Sequence, residues 1–369
     1  MELTVKLFWF LLVLYSLIIT YFLLGWFRLK KPNQAFDFPK ISVLIPARNE
    51  ELRLGPCLDS LMLQTYPKDK LEIIVIDDHS EDGTSQLARS YGVKVIEMKD
   101  INTNSYKKLA IEKGVAQATG EYILTTDADC YVPENWAKKM VSYFLTENAK
   151  FIAGPVAYHN DNSIFEKLQH LEFLALIGVG AGGIGQNFPM FCNGANLGFH
   201  RDSFLGLDGF KGIDDIASGD DELLLHRFSR SFPNQISFVK SSEAIVLTEA
   251  VSSMSKFINQ RRRWASKSTR HKNNYITLIA IITFLLNLLI ALFGLFSVFS
   301  IKWIFPFVIG LLSKTMVELP LIYFLTKFSN RRALLWWLPF EQFFYVFYIV
   351  LIAPAGLFGK YNWKGRKVK

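Results

Sequence analysis

The amino-acid sequence predicts an α/β fold with a mainly parallel sheet, flanked at both ends by membrane-spanning helices. Between residues 39 and 250, short runs of β-branched and apolar residues alternate with helical patterns, which is typical of right-handed βαβ units. Long, largely uncharged apolar runs precede and follow that region. The 369 residues are 50% hydrophobic and 20% charged, with 32 phenylalanines. This composition excludes disorder and an ordinary cytosolic globule.

The first predicted element is an amino-terminal anchor over residues 1–28. Leu7 to Phe27 carries no charge and is long enough to cross a hydrocarbon layer of about 30 Å as a helix. A cleaved signal peptide is the alternative, but its apolar core has only about 7–15 residues. Arg28, Lys30 and Lys31 follow the run. Because cytoplasmic flanks are rich in Lys and Arg, we expect the chain after the anchor to be cytoplasmic.

Residues 39–250 form the predicted α/β domain. We expect strands over 41–45, 71–76, 93–97 and 122–126, and helices over 51–63, 84–90 and 107–118. Three polar clusters come directly after strands: Pro46–Glu50, Asp77–Ser80 and Asp127–Asp129. In open parallel sheets, ligands bind outside the carboxyl ends of the strands. The three clusters are therefore expected to line one crevice.

Asp127 and Asp129 are the candidate metal ligands. Carboxylates at i and i+2 of an extended chain lie on the same side, and hard oxygen donors suit Mg²⁺ or Mn²⁺ shared with phosphate oxygens. The alternative is an acidic turn. Asp78 can accept hydrogen bonds from a base or ribose, unless the cluster only caps the next helix. Lys107 can meet a diphosphate or remain a solvated surface lysine.

Two further loops contain candidate site residues. Asn193 and Asn196 flank Gly194 and suit a hydroxyl-rich ligand, although a tight turn before a strand would have the same composition. Asp220 and Asp221 begin a helical pattern. The helix macrodipole favours acids there, but one of them, held at the crevice, can instead serve as a general base.

The carboxy-terminal part begins with a basic interfacial segment, residues 251–274, which contains the sequence Gln260-Arg-Arg-Arg-Trp264. Basic residues beside a membrane attract anionic headgroups; alternatively, Arg263 contacts a departing diphosphate and Trp264 stacks on a sugar. About three hydrophobic helices are expected over 275–358, with Lys314 and Glu318 paired at i,i+4. A basic tail over 359–369 is also expected to be cytoplasmic. Three crossings would place it outside, so the number of spans stays open.

Several other functional classes are disfavoured. Gly178–Gly183 matches GxGxxG but follows a helical stretch and not a strand, so a dinucleotide site is not expected. Three widely separated cysteines support neither a disulfide framework nor a zinc site. The net charge of +8 is concentrated beside the apolar runs, which indicates membrane headgroups and disfavours nucleic acid.

These motifs, in this order, resemble the family 2 glycosyltransferases, which are membrane enzymes with a GT-A catalytic domain. The resemblance covers nearly the whole chain. It assigns nucleotide binding to the first strand end and the acidic turn: Pro46, Ala47, Arg48, Glu50 and Asp78. It assigns donor-diphosphate contacts and the metal to Lys107, Asp127 and Asp129, and the QxxRW motif to Gln260, Arg263 and Trp264. The base motif departs from the family pattern, because Gly219 replaces its leading glutamate; register favours Asp220 as the base, with Asp221 as the alternative.

The resemblance implies an inverting transfer of a sugar from a nucleoside diphosphate sugar, expected to be a UDP-sugar, with Mg²⁺ or Mn²⁺ as cofactor. The anchor and apolar helices imply a lipid or lipid-linked glycan acceptor at a membrane, expected to be the bacterial inner membrane. A processive polysaccharide synthase and a catalytically silent membrane scaffold of the same fold are the alternatives.

Overall fold

The computed structural model describes residues 2–31, 37–99, 105–214, 219–265, 273–357, 361–363 and 366–368. Ser218, residues 266–272 of the predicted basic segment, and residues 358–360, 364–365 and 369 at the carboxy terminus lie outside the described residues. The chain divides into two compact units. The first comprises Met1–Leu24, Asn160–Gly182 and Ala250–Lys369, and the second comprises Gly25–His159 and Gly183–Glu249.

The helices and strands follow the predicted order closely. The α-helices are α1 (Glu2–Arg28), α2 (Leu54–Met62), α3 (Thr84–Ser90), α4 (Tyr106–Gln117), α5 (Trp136–Glu147), α6 (Ile164–Gly185), α7 (Arg201–Gly206), α8 (Asp220–Ser231), α9 (Met254–Ala265), α10 (Asn274–Ser297), α11 (Ile304–Phe328) and α12 (Leu338–Leu357). The strands are β1 (Ile41–Ala47), β2 (Leu71–Asp77), β3 (Lys94–Glu97), β4 (Tyr122–Thr125), β5 (Phe151–Ala153), β6 (Val156–Tyr158), β7 (Leu197–His200), β8 (Ile236–Phe238), β9 (Val246–Thr248), β10 (Tyr361–Trp363) and β11 (Arg366–Val368).

The second unit is built on a seven-stranded sheet with the order β3-β2-β1-β4-β7-β5-β8. β1 pairs in parallel with both β2 and β4, and β7 is antiparallel to β4 and β5. Strands buried on both faces read as continuous apolar runs, and Val43, Leu44 and Ile45 are fully buried. The predicted α/β fold with a mainly parallel sheet is confirmed.

α4 packs tightly against this sheet because one of its residues lacks a side chain. A Cβ on Gly114 would lie 3.0 Å from a Leu44 methyl carbon and 3.1 Å from one of Ile76. The glycine therefore lets the helix approach β1 and β2. This close packing fixes the first turn of α4, which contains Lys107, relative to the strand ends.

The first unit consists mainly of apolar helices. Within the part of the chain that the structure describes, five segments are long and apolar enough to cross a membrane: Glu2–Arg28, Ile164–Gly185, Asn274–Ser297, Ile301–Phe328 and Arg332–Pro354. The three carboxy-terminal helices were predicted. The segment Ile164–Gly185 was not predicted as a span, because the sequence analysis placed it inside the region 39–250.

The GxGxxG pattern lies inside α6 and not at a strand-to-helix turn. A Cβ on Gly178 would lie 2.2 Å from a Leu325 methyl carbon, and one on Gly182 would lie 2.3 Å from the Phe22 carbonyl oxygen. Small residues allow close helix packing in membranes. These glycines therefore pack helices together, and the pattern lacks the context of a dinucleotide site.

Lys314 and Glu318 form the predicted pair on α11, with Nζ 2.6 Å from Oε1. Both residues are buried. Gln342 extends the pair, since its Oε1 accepts from Lys314 and its Nε2 donates to Glu318 at 2.7 Å and to Glu341 at 2.8 Å. Charged groups in apolar surroundings need such partners. The pairing is thus part of a polar network inside the first unit.

Candidate active site

The ends of β1 and β2 bring together most of the residues predicted to hold the nucleotide. The Asp78 N–H donates to the Ala47 carbonyl at 2.8 Å. Arg48 Nη1 donates to the carbonyl oxygens of Asp78 and His79, at 2.9 and 3.0 Å. Asp78 Oδ1 lies 2.9 Å from His79 Nδ1. Pro46, within β1, completes this strand-end cluster.

Glu50 belongs to the same edge but is buried, and its N–H donates to Thr84 Oγ1 at 2.8 Å. Asp77 has a local structural role: its Oδ1 accepts from the Ser80 N–H at 2.8 Å and its Oδ2 accepts from the Ser85 hydroxyl. The two adjacent acids of the turn are therefore not equivalent. Asp77 shapes the turn into α3, whereas the Asp78 carboxylate lies beside His79 and its backbone carbonyl accepts from Arg48.

Asp127 and Asp129 follow β4 in a turn and come together with Cys130. One ligand atom from each of the three residues lies within 4.8 Å of the others. Two carboxylates provide the hard oxygen ligands that Mg²⁺ and Mn²⁺ prefer. Burial, followed by the negative charges of Asp127 and Asp129, raises the pKa of the Cys130 thiol. The thiol is therefore protonated at neutral pH, and the two carboxylates are the groups that fit a hard cation.

Lys107 connects this turn to α8. Its Nζ lies 2.7 Å from Asp127 Oδ1 and 3.3 Å from Asp220 Oδ2. Burial by itself would lower the pKa of Lys107, but Asp127 and Asp220 raise it more, so the pKa lies above its usual value. The side chain is therefore a cation that brings two carboxylates from distant parts of the chain to one point.

Asp221 has different partners from Asp220. Its Oδ2 accepts from the Gly194 N–H at 3.2 Å, and its Oδ1 accepts from the Glu222 N–H at 2.8 Å. The Gly194 carbonyl in turn accepts from Thr125 Oγ1 at 3.0 Å. Asp221 therefore ties the start of α8 to the loop before β7. Asp220 points to the lysine.

The two asparagines of that loop also differ. Asn193 Oδ1 accepts from the Ala195 N–H at 3.0 Å and forms a turn. Asn196 is fully buried; its Nδ2 donates to the carbonyls of Pro155 and Ala244, and its Oδ1 accepts from Trp136 Nε1. Both polar atoms of the Asn196 amide therefore have partners inside the core, and the ligand contact predicted for Asn196 stays a prediction.

Gln260, Arg263 and Trp264 lie on α9, in the first unit. The Trp264 ring stacks on Phe173, with centroids 6.0 Å apart and an interplanar angle of 28°. Gln260 Oε1 accepts from Arg261. The Trp264 and Gln260 side chains therefore have partners within the first unit, and the substrate contacts predicted for Gln260, Arg263 and Trp264 stay predictions.

Sequence reasoning missed Arg261. This residue is buried, and its guanidinium binds the Glu172 carboxylate through Nε at 3.1 and 3.0 Å and through Nη2 at 2.6 Å. Its Cζ also lies 4.4 Å from the Phe257 ring centroid and 4.3 Å from that of Trp264. The helical periodicity of α9 could have indicated this buried position, because Arg261, Arg262 and Arg263 point in different directions and only one of them can face the neighbouring helices.

Residues 42–205 match the family described as Glycosyl transferase family 2. Probable glycosyltransferase YdaM of Bacillus subtilis (strain 168) is 28% identical over 261 residues, which cover 66% of this chain and 57% of that protein. The 4,4'-diaponeurosporenoate glycosyltransferase of Staphylococcus aureus (strain USA300) is 30% identical over 142 residues, which cover 38% of this chain and 37% of that protein. Both matches span less than two thirds of the relative's own length.

The chain also resembles a solved structure, that of mannosyltransferase PcManGT from Pyrobaculum calidifontis in complex with GDP-Man and Mn²⁺. The TM-score is 0.57 at 17% sequence identity, covering 93% of this chain and 97% of that chain. At this identity the likeness concerns the fold, which agrees with the predicted GT-A fold. Together the family match and the named relatives support a transferase.

Proposed function

We propose that this chain is a membrane-bound, inverting glycosyltransferase of family 2, which moves a sugar from a nucleoside diphosphate sugar to a lipid or lipid-linked glycan acceptor. The observation that carries the proposal is the junction of Asp127 and Asp220 at Lys107, with contacts of 2.7 and 3.3 Å. Asp127 follows β4, Asp220 begins α8 and Lys107 lies on α4; their predicted roles are metal ligand, general base and diphosphate contact. Their convergence supports one catalytic centre.

The donor would lie along the carboxyl ends of β1, β2 and β4. Asp78 and Arg48 would hold the nucleoside, with Pro46, Ala47 and Glu50 shaping its cradle. Asp127 and Asp129 would hold Mg²⁺ or Mn²⁺, which offsets negative charge on the departing diphosphate. The similar mannosyltransferase PcManGT is in complex with GDP-Man and Mn²⁺, which supports a nucleotide-sugar donor, and we propose a UDP-sugar here.

Asp220 would act as the general base. It accepts the proton of the acceptor hydroxyl while the acceptor oxygen forms a bond to the anomeric carbon. The bond from that carbon to the diphosphate oxygen breaks, and the diphosphate leaves with its electron pair. Attack from the face opposite the diphosphate inverts the anomeric configuration. Asp221 is the weaker candidate, because both of its oxygens accept backbone N–H groups.

The membrane assignment rests on the five long apolar helices and on the basic residues beside them. We propose that they hold the enzyme in the bacterial inner membrane with its catalytic unit cytoplasmic, where an acceptor with an apolar part would be within reach. One relative has the name 4,4'-diaponeurosporenoate glycosyltransferase, and this name supports an acceptor other than a soluble sugar.

The test is transfer by the purified full-length protein in nanodiscs. A panel of UDP- and GDP-sugars with membrane lipid extract is assayed for nucleotide release and for mass-shifted lipids by mass spectrometry. We expect D220N to lower turnover about 10²–10⁴-fold, the usual range for a general base, with nucleotide affinity kept. D221N, the matched control at the neighbouring residue, should lower turnover by a smaller factor than D220N.

Near-wild-type turnover by D220N would contradict the assignment of the base. Transfer that persists after chelation of divalent cations would contradict the metal role of Asp127 and Asp129. A ladder of polymeric product would favour a processive synthase over single-sugar transfer. Nucleotide binding without nucleotide release from any donor and acceptor would favour a silent scaffold.

A further inference from the structure

Lys107 contacts the Asp127 carboxylate, which is also the proposed ligand of the donor-bound metal ion. Its ammonium nitrogen is 2.7 Å from Asp127 Oδ1, whereas a Mg²⁺-sized cation sits about 2.0–2.1 Å from a carboxylate oxygen. Two positive charges against the same oxygen repel each other. The lysine and the cation therefore oppose each other at Asp127.

The fold makes room for this lysine bridge at Gly194. A Cβ on that residue would lie 3.2 Å from Lys107 Nζ and 3.2 Å from Asp220 Oδ2. The Gly194 N–H is bound to Asp221 and its carbonyl to Thr125, so the loop is fixed at this distance. The Lys107 ammonium group, which bridges Asp127 and Asp220, thus packs against the backbone of Gly194.

We propose that Lys107 competes with the divalent cation for Asp127, and that the donor diphosphate relieves the competition by taking Lys107 as its own counter-charge. This inference rests on the proposed function. Nucleotide and cation then bind cooperatively. The diphosphate draws Lys107 away from Asp127, which favours the cation, and the cation at Asp127 releases Lys107 to bind the diphosphate. Movement of Lys107 to the diphosphate also separates it from Asp220, so the base loses its lysine partner only when the donor is in place.

The test compares Mn²⁺ binding by the wild type and by K107M, using isothermal titration calorimetry on the full-length protein in nanodiscs. Each protein is titrated alone and with saturating UDP or GDP, whichever binds the wild type. We expect K107M to bind Mn²⁺ alone about tenfold tighter, because the competing charge is gone. The gain in Mn²⁺ affinity on adding nucleotide should be about tenfold smaller in K107M, within the usual range of coupling.

K107R and K113M are the controls. K107R keeps the positive charge and should bind Mn²⁺ alone like the wild type, and K113M changes a lysine of the same helix outside the bridge and should match the wild type throughout. Equal or weaker binding of Mn²⁺ alone by K107M, while the wild type binds both ligands, would overturn the role of Lys107 and leave the proposed function standing. A wild type that binds neither Mn²⁺ nor nucleotide would overturn both.

Discussion

Replacing Arg261 with alanine should destabilise the first unit strongly. Arg261 and Glu172 form a two-pronged ion pair with both side chains nearly excluded from solvent, at 3% and 9% exposure. Breaking a buried pair costs about 3–5 kcal/mol, because the remaining charge stays buried without a partner. Loss of the contacts with the rings of Phe257 and Trp264 adds about 0.5–1 kcal/mol each at the lower end of such interactions.

A loss of this size is a large part of the usual stability of about 5–15 kcal/mol. We therefore expect the thermal midpoint of R261A in detergent to fall by roughly 8 °C or more, given about 2–4 °C per kcal/mol for larger domains. The assay is a fluorescence melt of the full-length protein. R261K should lie in between, because an ammonium group cannot form the two-pronged contact.

K256A, which removes an exposed cation of the same helix, is the matched control and should melt within about 2 °C of the wild type, since surface substitutions change stability little. The double variant E172Q/R261M, which removes both charges, should recover most of the loss. The reasoning is refuted if R261A melts like K256A, or if the double variant is no more stable than R261A.

Three other predictions concern separate sites. Gly194→Ala should lower turnover about tenfold, because the new methyl group would lie 3.2 Å from Asp220 Oδ2 and displace the base by a few tenths of an ångström; full turnover would contradict this. Lys314→Met should lower the thermal midpoint more than the double change of Lys314→Met with Glu318→Leu, since the single change leaves a buried carboxylate without its cation; equal midpoints would contradict this. Burial alone would raise the pKa of Glu72, but hydrogen bonds from Ser42 and Thr119 lower it below its ordinary value of 4.5. Its stabilisation is therefore present above that pH and lost as the pH falls through the folded-state pKa, so melts of Glu72→Gln should approach the wild type in acid and differ from it at neutral pH; a constant difference would exclude the linkage.

Local patterns predicted the strands and helices of the second unit well. The predicted helix over 84–90 is α3 itself, and it begins where Asp82 Oδ1 accepts from the Thr84 N–H at 3.1 Å, a contact between residues that are close in sequence. The span Ile164–Gly185 was missed because Glu166, Lys167 and Glu172 interrupt its apolar character. One of these, Glu172, is paired with Arg261, a partner that is 89 residues away and invisible to a local pattern.

The candidate site shows the same limit. Strand ends and the family resemblance predicted that Asp78, Asp127 and Asp220 belong to one crevice. Neither the strand ends nor the resemblance could predict that the Asn196 amide would form hydrogen bonds with Trp136 and two backbone carbonyls. The composition of the turn suits a ligand contact and a core contact equally. Which polar atoms remain available depends on packing between distant segments, and a single sequence does not specify that packing.

The acids at the start of α8 have two interpretations, a preference of the helix macrodipole and a general base, and their contacts separate the two. The helix macrodipole accounts for negative charge in the first turn, and it would favour Asp220 and Asp221 alike. Successive residues of a helix point about 100° apart, so the two carboxylates have different surroundings: Asp221 meets the Gly194 N–H, and Asp220 meets Lys107. The macrodipole gives no reason for a lysine of another helix to join Asp220 to Asp127. That contact is the independent support for a catalytic role at this position, and it is why the variants of Lys107 test the site more directly than further changes in the acids.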